Sequence, residues 1–113
     1  MSPTEIRSCE VKRILEVKTI LINNLHKRYT IQELAVMAAM SREKFREVFR
    51  NVIEVMYWDY VREMRMRLGY FLLCHTNKPI KEVAYATGFH TSENFSTAFR
   101  KFYKITPGMV KRC

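Results

Sequence analysis

Apolar residues recur three and four positions apart along almost the whole chain, with polar residues filling the intervals. Val11, Ile14, Leu15, Leu21, Ile22 and Leu25 make the first stripe, and Ser8 is placed to cap the helix that carries it. Thr30-Ile31-Gln32-Glu33 is a capping box. The Thr30 hydroxyl reaches the Glu33 amide while the Glu33 carboxylate reaches back, so a second helix is expected there, with Ile31, Leu34, Ala35 and Ala38 inward. Ser41 caps a third helix that turns Phe45, Val48, Phe49 and Val52 inward. A longer fourth helix covers about residues 56–74, with Tyr57, Val61, Met64, Leu68, Phe71 and Leu72 as its stripe. Asn77-Lys78-Pro79 interrupts the pattern, and Pro79 suits the first position of a fifth helix, since its missing N–H has no partner there in any case. That helix carries Ile80, Val83, Ala84 and Thr87, and Gly88 ends it. A sixth follows His90 or Thr91 and directs Phe95, Phe99 and Phe102 inward. Thr106-Pro107 opens a short last helix. No stretch alternates with period two, so the pattern predicts an all-α fold of about seven helices.

The second and third helices return later in the chain as the fifth and sixth. Ile31, Leu34, Ala35 and Ala39-Met40 align with Ile80, Val83, Ala84 and Gly88-Phe89 at an offset of 49 residues. Phe45, Phe49-Arg50 and Val52 align with Phe95, Phe99-Arg100 and Phe102 at an offset of 50, the extra residue falling in the turn. A short helix, a tight turn and a second helix make the helix-turn-helix plan, whose second helix enters the DNA major groove. Ala35 and Ala84 sit where the helices of each pair must cross closely. Gly88 permits a turn with positive φ, and Ala39 in the equivalent place implies some strain.

Inward phenylalanines leave a polar face outward on each second helix. In the first pair this face holds Arg42, Glu43, Lys44, Arg46, Glu47 and Arg50; in the second, Thr91, Ser92, Glu93, Asn94, Ser96, Thr97, Arg100 and Lys101. Arg46 has the fork to bind guanine, Asn94 the amide to pair with adenine, and Glu43 or Glu93 an acceptor for the cytosine amino group. Base reading is therefore expected of Arg42, Glu43, Arg46, Glu47, Ser92, Glu93, Asn94 and Thr97. Phosphate contact is expected of Lys44, Arg50, Thr91, Ser96, Arg100 and Lys101, with Lys104 beside them. A fourth helix of 19 residues spans about 28 Å at 1.5 Å per residue. Major-groove faces repeat about every 34 Å, so one chain is expected to offer both reading helices to one duplex without dimerising. Arg62, Arg65 and Arg67 lie on this connector.

Composition supports this reading and excludes others. The chain has 113 residues, enough for one small domain or two very small subdomains. Twenty Lys and Arg against 11 Asp and Glu give a net charge of +9, which favours an anionic partner. Only 3 Gly and 3 Pro argue against turn-rich β architecture. Cys9, Cys74 and Cys113 are sparse and odd in number, so reduced thiols in a cytoplasmic setting are expected rather than a disulfide framework. The polar stretch from Met1 to Glu10 has no apolar segment of a secretory signal, and no apolar run is long enough to span a bilayer. Asn94-Phe95-Ser96 is a chance glycosylation match. No phosphate loop, nucleophile elbow or metal-binding motif occurs, and His26, His75 and His90 are isolated. The chain is therefore not expected to be an enzyme or to hold a metal or cofactor. One alternative is a helical interaction domain whose basic face docks an acidic partner. Another is a repair regulator fused to an enzyme with Cys9 as a reactive thiol, which would need metal ligands or a longer chain.

The run Thr30-Ile-Gln-Glu-Leu-Ala, Met40-Ser41, Phe45 and Phe49, followed by Arg65, Leu72-Leu73, Ile80-Lys-Glu-Val-Ala, Gly88-Phe89, Phe95, Phe99-Arg-Lys-Phe and Thr106-Pro107, resembles the DNA-binding domain of the AraC/XylS family of bacterial transcription regulators. The resemblance covers roughly residues 8–112 and is more specific in the second half. It implies two helix-turn-helix subdomains, each a homeodomain-like three-helix unit, at residues 8–55 and 76–113. A linker helix at 56–75 joins them, and residues 1–7 form a tail or linker. It also implies promoter binding as a transcription regulator, most simply an activator, contact with RNA polymerase, and a place in the cytoplasm at the nucleoid. A covalently attached N-terminal effector domain is a common companion in the family. Carried over by position, the base-reading residues are Glu43, Arg46 and Glu47 in the first unit, and Ser92, Glu93 and Thr97 in the second. The chain departs from the family where Ala39 replaces the turn glycine, where Glu54 and Lys104 replace the glycines after each second helix, and where Tyr57 replaces a proline.

Overall fold

Helical propensity and capping dominate locally, and the computed structural model, which describes residues 7–111, is all helix and turn over that span. Residues 1–6 of the expected tail, and Cys113, lie outside the described residues. The helices are α1 (Ser8–Asn23), α2 (Ile31–Met37), α3 (Arg42–Ile53), α4 (Tyr57–His75), α5 (Ile80–Ala86), α6 (Ser92–Tyr103) and α7 (Pro107–Lys111).

Their starts follow local chemistry. Thr30 accepts from the Glu33 amide at 3.1 Å while its own amide donates to the Glu33 carboxylate at 3.0 Å. Ser41 accepts from Lys44 N, Thr91 from Asn94 N, and Thr106 from Met109 N. Two boundaries shift by one residue. The cap of α1 is Arg7 rather than Ser8, because the Glu10 carboxylate reaches back to the Arg7 amide at 3.0 Å. Pro79 is the cap of α5 rather than its first residue.

Some inward faces are rotated from the expected stripes. In α1 the buried apolar positions are Ile14, Val17 and Leu21, while Leu15 and Ile22 are exposed. In α4 Tyr60, Met66 and Leu73 are buried along with Tyr57 and Val61, and Phe71 is 56% exposed. Phe102 of α6 is also exposed, whereas Phe95 and Phe99 are fully buried. A helix has room for only one contiguous inward stripe. Where apolar residues cover more than half of its circumference, the partner helices choose the stripe.

Packing divides the described residues into two compact units, one formed by residues 7–24 plus Tyr29–Tyr60, the other by Leu25–Arg28 plus residues 61–111. In the first, α3 packs on α1 and α2. Phe45 and Phe49 lie 5.8 Å apart at its centre, with Tyr57 edge-on to both, at 6.1 and 5.6 Å. In the second, α6 packs on α5 and α7. Met66, Leu73, Val83, Ala84, Phe95, Phe99 and Val110 form its core. Gly69 lets α4 approach α6, because a Cβ there would lie 2.8 Å from the Phe95 ring. Ala35 and Ala84 are fully buried, as close helix crossing requires.

Each helix pair turns through a left-handed residue, Ala39 at φ 55° and Gly88 at φ 88°. Glu54 and Lys104, each at φ 67°, end α3 and α6 in the same conformation, with their amides bonded to the Arg50 and Arg100 carbonyls at 2.8 Å. At Gly88 any Cβ would also meet the Leu25 carbonyl at 2.6 Å. Two stability effects of opposite sign are expected. Ala39→Gly relieves a left-handed alanine and raises stability by about 0.5–1 kcal/mol. Gly88→Ala lowers it by about 1–3 kcal/mol or more, adding a backbone clash to the unfavourable φ. Thermal and urea unfolding followed by circular dichroism measures both.

Candidate nucleic-acid interface

With Phe45, Val48 and Phe49 held inward, helical geometry sends Arg42, Glu43, Arg46, Glu47 and Arg50 outward, and all five are exposed. Arg42, Arg46 and Arg50 follow one another at intervals of four, a row of like charges that repel along the helix surface. None of the three has an ion-pair partner among the described residues. An anion laid along that row would relieve the repulsion. Lys44 differs. It is half-buried, and its ammonium lies 3.5 Å from Glu10 of α1.

The corresponding face of α6 is mostly uncharged. Thr91, Glu93, Asn94 and Thr97 are exposed, while Ser92 and Ser96 are half-buried. The Thr91 hydroxyl caps the helix, so its lone pair is directed at Asn94 N. Arg100 and Lys101 are exposed in the last turn, where the helix dipole favours cations. The turn before α6 is braced from far along the chain. Arg28 Nε donates to the Gly88 carbonyl at 2.7 Å, and its guanidinium lies 5.3 Å above the Phe89 ring. Arg65 Nη2 donates to the Lys27 carbonyl at 3.4 Å, and the Arg65 guanidinium lies against Gly88. Thr87 is buried, with its hydroxyl donating to the Val83 and Ala84 carbonyls. Sequence periodicity carries no sign of the Arg28 and Arg65 braces.

Periodicity also passes over an opening of about 670 Å³ in the first unit, lined by Ile31, Glu43, Arg46, Glu47, Arg50, Asn51, Met56, Tyr57 and Trp58. Four residues expected to face DNA line this opening. Met56 and Trp58 complete it at the start of α4, and an apolar pair flanking an otherwise inward tyrosine was the available signal. Among the described residues no cluster of three or more His, Cys, Asp or Glu side chains has metal-binding geometry, and no helix is long and apolar enough to cross a membrane.

Known proteins resemble this chain over most of its length. A family model described as a helix-turn-helix domain matches residues 34–112. The probable transcriptional regulator LumQ of Photobacterium leiognathi is 29% identical over 101 residues, which cover 85% of this chain and 41% of that protein. The HTH-type transcriptional activator RhaS of Mannheimia succiniciproducens is 32% identical over 87 residues, covering 77% of this chain and 32% of its own length. The chain thus spans less than half the length of these relatives. Among solved structures, a DNA-binding transcriptional dual regulator from Escherichia coli K-12 superposes with a TM-score of 0.77 at 26% identity, covering 96% of this chain and 95% of that one. The fold also matches the DNA-binding domain of AdpA, solved in complex with a target DNA, at TM-score 0.82 and 24% identity over 88% of this chain and 90% of that one. An AraC-type regulator from Chromobacterium violaceum matches at TM-score 0.79 and 22% identity, over 94% and 95%.

The Glu10–Lys44 contact has a pH signature. The Arg7 amide and the neighbouring Lys44 hold the Glu10 carboxyl below the ordinary carboxylate range, against a smaller opposing effect of burial. A depressed folded-state pKa means that the stabilisation is complete above the ordinary carboxylate range. It is lost as pH falls through the folded value. Glu10→Gln is therefore expected to lower stability at neutral pH and to flatten the acid side of the melting-temperature profile, measured by circular dichroism in a pH series.

Proposed function

We propose a promoter-reading function from one established premise: this chain belongs to the AraC family of helix-turn-helix DNA-binding domains. The observation that carries the reading is the duplicated pair, α2–α3 and α5–α6, each with buried phenylalanines beneath and an exposed polar face above. In this reading α3 and α6 each enter a major-groove segment. Arg42, Glu43, Arg46 and Glu47 read bases in one segment, and Ser92, Glu93, Asn94 and Thr97 read the other. Arg50, Thr91, Ser96, Arg100 and Lys101 hold phosphates. Lys44 joins them when DNA draws its ammonium away from Glu10. The 19-residue length of α4 supports reading of two successive segments by one chain. The consequence is control of transcription, with activation the simplest mode, since a relative is named an activator. RNA polymerase, an attached effector domain and a cytoplasmic, nucleoid-bound location follow as expectations of the family.

Selection from a pool of random duplex DNA tests the reading. Two recognition blocks are expected, their centres about 10 base pairs apart. Arg46→Ala should relax preference in one block and Glu93→Ala in the other, each losing roughly 1–3 kcal/mol of discrimination. Arg100→Ala should instead weaken all sequences alike and reduce the slope of log affinity against log salt by about one. Enrichment of no sequence, with equal affinity for selected and scrambled duplexes, would return the basic face to the role of docking an acidic protein.

A further inference from the structure

Met56 and Trp58 are each 60% exposed, and both border the opening that Glu43, Arg46, Glu47 and Arg50 line on α3. Leaving most of an indole and a thioether in water forgoes the free energy that burying such side chains supplies. Grouped exposed apolar residues of this size mark contact surfaces more often than accidents. The Trp58 ring is supported from beneath. It meets Tyr57 edge-on at 4.8 Å, and Tyr57 in turn packs on Phe45 and Phe49 of the core. The indole thus stands on the same aromatic stack that sets the face of α3.

We infer that Trp58, with Met56, is an apolar contact for the DNA strand bordering α3, seated on deoxyribose faces and thymine methyl groups while Arg46 and Arg50 engage the polar parts of the same strand. Cationic and apolar side chains lining one opening suit a strand edge, which offers both phosphate and sugar. Guanidinium groups with no ion-pair partner among the described residues, beside the apolar pair, favour a nucleic-acid occupant over an apolar peptide. The inference rests on the DNA reading of α3 and adds a contact from outside the recognition helix.

Trp58 is the only tryptophan in the chain, so its emission reports on this one place. The full chain is titrated with the selected duplex and excited at the red edge, where tyrosine does not absorb. Saturation is expected to change the emission and to shield the indole from acrylamide, with a smaller effect from a scrambled duplex. Trp58→Ala should bind the selected duplex roughly tenfold more weakly. Its salt slope should be unchanged, because an apolar contact releases no counterions. Arg50→Ala should reduce that slope. Trp58→Phe should keep most of the affinity, and circular dichroism melts show whether each variant is folded. Replacing thymine by uracil separates the two apolar sources, since weaker binding assigns the contact to the methyl and unchanged binding to the sugar. Saturated binding by anisotropy with acrylamide access unaltered would overturn the inference while leaving the DNA reading intact. So would a folded Trp58→Ala protein of full affinity, or one whose salt slope falls as in Arg50→Ala. A selection that enriches nothing would remove both together.

Discussion

The exposed polar faces of α3 and α6 depend on how closely two short helices can cross at a left-handed turn. Ala35 and Ala84 are fully buried at the crossings, and Ala39 and Gly88 reverse the chain with positive φ. That closeness brings Phe45 and Phe49 under α2, and Phe95 and Phe99 under α5. Burying a phenylalanine contributes about 1.5–3 kcal/mol, more than the roughly 1–2 kcal/mol that a left-handed alanine costs. The strain at Ala39 is thus sustained by the packing it makes possible. Once the phenylalanines are held, the helical repeat leaves the outer face no choice.

The two units meet this constraint with different residues. The second uses glycine at its turn and braces it from a segment 60 residues away, through Arg28 and the Gly88 carbonyl. The first uses alanine and has an aromatic cluster, Phe45, Phe49, Tyr57 and Tyr60, directly beneath α3. Both second helices end on left-handed charged residues, Glu54 and Lys104. Each is followed by apolar side chains that return to the core: Tyr57 in the first unit, Ile105 and Val110 in the second. That return holds the cap in a conformation its own side chain disfavours.

The outer faces differ as much as the turns do. The α3 face carries charges of both signs, with like charges in rows, and it borders exposed Met56 and Trp58. The α6 face carries hydroxyls, an amide and the Glu93 carboxylate near its start and cations at its end, an order that the helix dipole favours. Such faces suit different chemistry within one DNA-binding plan. In the proposed reading, strong directional hydrogen bonds and apolar contact fall to the first, and lighter polar contact anchored by cations to the second.

Helix positions, most caps and the duplication were legible in the residues because they depend on neighbours three or four places away. The Thr30–Glu33 box and the caps at Ser41, Thr91 and Thr106 need nothing from the rest of the fold. The outward placement of Arg46, Glu47, Glu93 and Thr97 followed from the same periodicity. Which apolar residues went inside was a different matter. Leu15, Ile22, Phe71 and Phe102 carry as much apolar surface as Val17, Met66 and Leu73, and only the helices packed against them decided between the two sets. The grip of Arg28 on Gly88 and the opening beside Trp58 likewise join residues far apart in the chain or on different helices. Local order along the chain determined what could form. Burial, which sums over neighbours from distant segments, decided which face and which partner each side chain received.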